Sequence, residues 1–297
     1  MNHTSHTTPA VLLDGWSIEV MPRTAAKIND FRAVLPAGTR VYIAHIHGTP
    51  IEDMVATAKR IAQDGFDVMP HFPARMIADK AILTDWIHRY QDAAGVDQAL
   101  VIAGGLEKPL GEFASCMDLL ETGAFADAGF TRLHVAGHPE GNRDIDSDGT
   151  NRLVDAALHW KQNYARQTGV QMAIVTQFAF EAAAVTQWIT RLRTIGIDLP
   201  VHVGLAGPAK LQTLVKFAVA CGVGPSLIVL KKRARDLSKL LLPYTPDEVL
   251  DDLARNAAMA PMTAPEALHI FPLGGVQASA DWAHGRGAGR LRQVAAR

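Results

Sequence analysis

Apolar positions along the chain follow two alternating rhythms: short runs rich in β-branched residues, and longer stretches in which they repeat at helical spacing. Eight short runs stand out, at Trp16–Met21, Arg40–Ile46, Asp67–Phe72, Gln98–Ala103, Arg132–Ala136, Val170–Gln177, Leu199–Leu205 and Ala267–Leu273. Runs of this length that are apolar nearly throughout suit strands of a parallel sheet covered by helices on its faces. Between them lie Ile51–Asp64, Ala78–Ala94, Leu110–Thr122, Asn151–Thr168, Glu181–Ile195 and Pro208–Cys221, each polar on one face and long enough for three or more helical turns. The alternation predicts repeated βα units. Eight strands point to a closed (β/α)8 barrel of TIM type in a single domain; an open doubly wound sheet usually has fewer, and no G-x-G-x-x-G follows any run. The spacing breaks once, before the eighth strand, where residues 223–266 hold an extra helical segment and the basic stretch Lys231-Lys232-Arg233-Ala234-Arg235. That stretch reads either as a solvated face or as a dock for a polyanionic tail or cofactor phosphate. The expected organisation is a flexible tail over 1–12, a barrel over 13–278 and a C-terminal helix or tail over 279–297.

Composition narrows the ligand class. The 297 residues are 48% hydrophobic and 20% charged, with a formal net charge of −1, so no global field favours nucleic acid or an anionic membrane. A small ligand is the expected partner; a homo-oligomer is left open. The two cysteines, Cys116 and Cys221, lie far apart without metal or redox spacing, which suits a reducing, cytoplasmic setting. No apolar run reaches the roughly 18 residues of a membrane helix, and the first ten residues lack the pattern of a secretory signal. His3 and His6 are read as tail residues.

In a barrel of this kind the active site is built at the C-terminal ends of the strands. The polar residues where the apolar runs stop are Glu19, His45 and His47, His71, Gly104 and Gly105, His138 with Glu140 and Asn142, Gln177 and His202. Strand alternation places Ser17, Glu19 and Met21 on one face, which lets Glu19 point into the barrel mouth. A buried carboxylate there is expected to have a raised pKa suited to general acid work, or else to be neutralised by a neighbour such as Arg23. The turn Gly137-His138-Pro139-Glu140-Gly141-Asn142 and the tip Ala103-Gly104-Gly105 let backbone approach a ligand, although either could be only a tight connection. His45-x-His47, with His71, His138 and His202, keeps a metal-dependent barrel hydrolase open as a rival. Such barrels usually carry the H-x-H on the first strand and an Asp after the eighth. Here those places hold Glu19-Val20-Met21-Pro22 and Leu273-Gly274-Gly275.

Taken in order, five strand-end motifs resemble the methylenetetrahydrofolate reductase family, over residues 16–275. Ser17-Ile18-Glu19-Val20-Met21-Pro22 resembles its first-strand motif and Asp67-Val68-Met69-Pro70-His71 its third-strand ending. Leu100-Val101-Ile102-Ala103-Gly104-Gly105 falls where the family reads Leu-Arg-Gly-Asp. Val135-Ala136-Gly137-His138-Pro139-Glu140-Gly141 resembles its Ala-Gly-Tyr-Pro-Glu, and Ile174-Val175-Thr176-Gln177-Phe178-Ala179-Phe180 its Ile-Thr-Gln-Phe-Phe-Phe. The resemblance implies an oxidoreductase that interconverts 5,10-methylene- and 5-methyl-tetrahydrofolate, with FAD relaying hydride from NADH or NADPH. It makes Glu19 the general acid, and assigns Gln177 and Phe180 to the folate. His45, His71, Ala103, Gly104, Gly105, His138, Asn142 and Lys161 are assigned to the flavin and its phosphates. The chain departs from the family at Ala103 and Gly105, which replace an Arg and an Asp, at His138, which replaces a Tyr, and at His45-Ile46-His47-Gly48, where Thr-Tyr-Gly is usual. These departures leave two alternatives: direct hydride transfer from nicotinamide to folate, and a non-catalytic barrel that only binds folate.

Overall fold

The computed structural model describes residues 7–220 and 243–289. Eight parallel strands close into a barrel in sequence order: β1 (Ser17–Val20), β2 (Arg40–Ile43), β3 (Asp67–Pro73), β4 (Gln98–Ile102), β5 (Arg132–Gly137), β6 (Gln171–Ala179), β7 (Val201–Ala206) and β8 (Ala267–Phe271). Closure is made by β1 against β8, with Ser17 opposite His269 and Ile18 opposite Ile270. The covering layer includes α1 (Pro9–Leu12), α2 (Pro22–Ala25), α3 (Ile51–Gln63), α4 (Lys80–Ala94), α5 (Cys116–Glu121) and α6 (Ala124–Asp127). It continues with α7 (Arg152–Thr168), α8 (Ala182–Thr194), α9 (Leu211–Ala220), α10 (Asp247–Met259) and α11 (Val276–Gly285). All eight predicted strands are present, and α10 supplies a helical segment before the last of them.

The main apolar core lies between strands and helices, where Ile18, Val41, Val101, Val135, Ile174, Val203 and Leu268 point outward against helix residues such as Met54, Ile87 and Ile189. Inside the barrel a smaller set, Tyr42, Met69, Leu100 and Val175, forms a separate cluster. The remaining interior is polar, with Ser17, His71, His134, His202 and His269 buried.

Three expectations about elements are revised. The tail reading of residues 1–12 extends too far, because Pro9–Leu12 forms a turn of helix capped by Thr8 and buries Leu12, with Leu13 buried just after it. Helix over Leu110–Thr122 shrinks to α5, because Ser115 and Asp118 form a capping box that starts the helix at Cys116. The preceding loop is tied by the Arg75 guanidinium to the carbonyls of Leu106 and Ala114 at 2.8 and 2.9 Å. The closing helix begins at Val276, ahead of the expected 279, and buries Val276, Ala280 and Ala283. The basic stretch at 231–235, Cys221, His3 and His6 lie outside the described residues. Among the described residues no helix is long and apolar enough to cross a membrane.

Candidate active site

A cleft of about 1110 Å³ opens at the C-terminal ends of the strands. Seven of the residues singled out from sequence line it: Glu19, His45, His71, Gly104, Gly105, His138 and Gln177. Four others stand outside its wall. Phe180 is buried in an aromatic group with Phe178 and Tyr244. Asn142 accepts a hydrogen bond from the Asp144 amide, closing its own turn at 2.9 Å. Lys161 is buried on α7, near enough to His138 to act on its charge. Ala103 takes part through its carbonyl, which accepts from the Arg75 amide at 2.9 Å.

Glu19 enters the mouth from the third position of β1, its side chain 21% exposed. Its partners are two imidazoles and not Arg23. His71 Nε2 from β3 lies 3.3 Å from Glu19 Oε2, close but without hydrogen-bond alignment. His269 Nε2 from β8 lies 4.0 Å from the same oxygen. Burial pushes the Glu19 carboxyl up, but the His71 contact and the His71 and His269 imidazoles outweigh it and hold the group below its ordinary value. The expectation of a raised carboxyl pKa is therefore corrected for the open site. Burial drives His269 down to about 3, so this ring is neutral at neutral pH. Its Nδ1 lies 2.9 Å from Ser17 Oγ. With Nε2 turned to a carboxylate, the proton belongs on Nε2 and Nδ1 accepts from the Ser17 hydroxyl.

Gln177 owes its exposure to a break in β6. The register against β7 shifts between Val175 and Phe178. At the shift, Thr176 Oγ1 accepts from the Gly204 amide at 2.9 Å and donates to the Gln177 carbonyl at 2.8 Å, replacing a ladder bond with a side chain. The extra residue of such a bulge swings outward and re-aims its side chain, here into the cleft. Gly204 is required there, because a Cβ would stand 2.6 Å from the carbonyl oxygens of both Thr176 and Gln177.

His45 donates from Nε2 to the Thr49 carbonyl at 3.0 Å and packs on Trp86, leaving its Nδ1 buried without a partner. That atom offers an acceptor to a ligand. His138 is pushed down to about 4 by burial and by Lys161, so it too is neutral at neutral pH. Among the described residues, the cations on the rim are Arg23, on α2, and Lys27, just after it.

The apolar run around His202 suggests a strand tip, but the residue is the second of β7 and sits at the opposite end of the barrel. Its Nε2 pairs there with Glu266 at 2.8 Å. Three cleft or interior residues escaped the sequence reading: Thr176, His134 and His269. Each falls inside an apolar run, and the available signal was strand alternation, which turns these positions inward. Among the described residues no three His, Cys, Asp or Glu side chains converge as metal ligands.

Strand order, closure and a strand-end cleft define a (β/α)8 barrel with a ligand site in the customary place. No family model matches the sequence. Among solved structures, a Clostridium thermocellum protein that binds two copies of 5-methyl-5,6,7,8-tetrahydrofolic acid superposes with a TM-score of 0.52 at 11% identity, over 90% of this chain and 93% of that one. Yersinia pestis DHPS, solved with a pterine-sulfa conjugate, gives 0.44 at 16% identity, over 92% of each chain. A dihydropteroate synthetase with its product gives 0.42 at 14%, over 92% of this chain and 91% of that one. At 11% identity the likeness to the Clostridium thermocellum protein speaks for the fold alone.

Proposed function

We propose that the cleft takes a reduced folate by its pterin ring and that the protein interconverts 5,10-methylene- and 5-methyl-tetrahydrofolate, with NADH or NADPH as hydride donor. The observation that carries this reading is the Glu19 carboxyl, set between His71 and His269 on one wall of a large cleft, with the Gln177 amide free on another. The Clostridium thermocellum protein, which binds methyl-folate on the same fold, supports the choice of ligand.

The chemistry needs one proton and one hydride. Protonation of a ring nitrogen opens the five-membered ring of methylene-folate to an iminium cation, whose carbon then accepts hydride. A ligand over Glu19 removes the water that reaches its exposed fifth, and this loss of solvent raises the carboxyl toward the range of a working acid. His71 and His269 hold the carboxylate when the proton has left. Gln177 both donates and accepts, as the amide edge of a pterin demands.

The residues present do not fit FAD as the family resemblance assigns it. Asn142 and Lys161, meant for ribose and phosphates, stand outside the cleft wall, and Ala103 and Gly105 carry no charge for the ring. Direct transfer from nicotinamide is accordingly the route proposed. The test is to incubate protein as purified, with its visible spectrum recorded, with methylene-folate and NADH or NADPH. Nicotinamide oxidation matched by methyl-folate, in protein without flavin absorbance and unaffected by added FAD, supports the proposal. A strict requirement for FAD refutes the direct route.

One observation favours a second reading. The depressed Glu19 pKa suits a carboxylate that accepts a hydrogen bond from a bound pterin, as a folate carrier would need. Methyl-folate binding by calorimetry with no turnover under either nicotinamide would select it.

A further inference from the structure

A second cavity, of about 600 Å³, opens at the N-terminal ends of the strands, lined by Arg40, Arg132, His134, His202 and Glu266 among others. Between it and Glu19 the barrel axis is occupied by polar side chains in series. His134 Nδ1 lies 2.5 Å from the Tyr42 hydroxyl. Ser17 is near enough to the Tyr42 phenol to lower its pKa, although the two hydroxyls are not hydrogen-bonded in this arrangement, Ser17 Oγ is 2.9 Å from His269 Nδ1, and His269 Nε2 is 4.0 Å from Glu19 Oε2. At the lower end the His134 and His202 rings meet edge to face with centroids 4.7 Å apart, and His202 pairs with Glu266 at the mouth. Ser17, Tyr42, His134, His202 and His269 are all buried, and of these five only His269 reaches the wall of the upper cleft.

We infer that these side chains form a proton path through the barrel, which recharges Glu19 from the lower cavity while a ligand covers the upper cleft. The inference rests on the reading of Glu19 as a proton donor. Every member of the series is a hydroxyl or imidazole, a group that can accept at one atom and donate at another. The order of transfer is set by the His269 tautomer, with its proton on Nε2. After Glu19 gives its proton to the ligand nitrogen, His269 Nε2–H passes its proton to the carboxylate and Nδ1 takes one from Ser17. Ser17 takes one from Tyr42, and Tyr42 from His134 Nδ1. His134 is restored at Nε2 from His202 or from water in the lower cavity. One proton enters, one reaches Glu19, and the interior keeps its charge; hydroxyl rotation and tautomer exchange reset the series. The electrostatics suit this role. Burial, with His202, Arg40 and Arg132 close by, holds His134 well below its ordinary value, and burial pushes the Tyr42 phenol up, so both rest neutral.

The test uses the full protein and its Tyr42→Phe variant in rapid-mixing assays with methylene-folate and NADH or NADPH. Protein mixed with methylene-folate before the nicotinamide is added carries a proton at Glu19, because the covering ligand raises the carboxyl, and the first turnover draws on that proton. Tyr42→Phe should therefore run it at the wild-type rate and slow later turnovers by on the order of tenfold or more. Equal slowing of first and later turnovers, or no slowing, overturns the path. Ser17→Ala is the second break, with the same expected split, should Tyr42→Phe fail to fold. If the wild-type protein turns nothing over, the proposed function has failed, and the path is judged by ¹⁵N–¹H NMR of the labelled imidazoles. His134 protonated on Nδ1 together with His269 protonated on Nε2 supports a series aligned toward Glu19. Both rings protonated on Nε2 would leave the Ser17 and Tyr42 hydroxyls pointing apart, and the path would be overturned.

Discussion

Lowering the pH from 7 to 4 should destabilise this protein through its interior imidazoles before its carboxylates respond. The His269 side chain is 1% exposed and burial depresses its pKa from 6.5 to about 3. Between those values the unfolded chain binds a proton that the folded chain refuses, so stability falls as pH falls. Each tenfold difference in proton affinity between the two states is worth about 1.4 kcal/mol, which makes the loss from this one residue about 3 kcal/mol by pH 4 and about 4 kcal/mol by pH 3. A domain has only about 5–15 kcal/mol to lose. His134, held well below its ordinary value, and His138, at about 4, act in the same direction. Glu19 is depressed below 4.5, so its contribution is present above that pH and disappears only beneath it. The windows are thus separable. The assay is urea unfolding followed by circular dichroism at half-unit steps from pH 7.5 to 4.5, for the wild type and His269→Gln. Stability of the wild type should decline from about pH 6.5, and the variant should lose about 1 kcal/mol less for each pH unit. Parallel slopes, or a flat wild-type profile above pH 4.5, would refute the claim that His269 is buried neutral.

Three further outcomes follow from the site. Glu19→Gln should cut folate turnover by roughly 10²–10⁴-fold while methyl-folate binding, measured by calorimetry, stays within a fewfold, because an amide keeps the shape and loses the proton. Gln177→Ala should raise the folate KM and leave the nicotinamide-dependent reduction of an artificial acceptor unchanged; equal loss of both would make the residue structural. Gly204→Ala should destabilise by about 1–3 kcal/mol in thermal or urea unfolding, since its Cβ would press on two carbonyl oxygens at the β6 break.

The architecture was legible because a parallel barrel repeats its signal eight times: each strand is a short run dominated by apolar residues, and each helix shows its own stripe. Local polar chemistry was the harder part. Ser115 and Asp118 were visible in the sequence, yet the apolar spacing of Leu110–Thr122 concealed that their capping box delays the helix by six residues. Strand ends led to Glu19, His71 and Gln177 on the cleft wall because each stands where an apolar run gives out. His269 and His134 stand in the middle of such runs, where a histidine reads as an interruption, and only knowledge of which strands are neighbours turns them into a connected interior. His202 shows the converse error. Grouping it with the strand ends fails because β7 begins at Val201, which makes His202 the second residue of the strand and puts it at the mouth opposite Glu19. Likewise, the direction in which the Glu19 pKa moves depends on two imidazoles from strands far away in sequence, against which burial alone argues the wrong way.

The break in β6 also works as a phase change. Upstream, the strand obeys the barrel's alternation, with Ile174 packed in the helix-facing core and Val175 inside. Past the extra residue the alternation restarts out of step, and Phe178 joins Phe180, Ala206 and Tyr244 in a group separate from the main core. The two aromatics are thereby seated around the tip of β7, where Phe178 and Phe271 meet edge to face. Deleting one residue at 176–177 would close the bulge and leave Phe178 opposite Gly204 with its facing unchanged, while the inserted amide is lost from the cleft. The length of β6, counted to the single residue, therefore determines whether this side of the cleft presents an amide beside its aromatic ring.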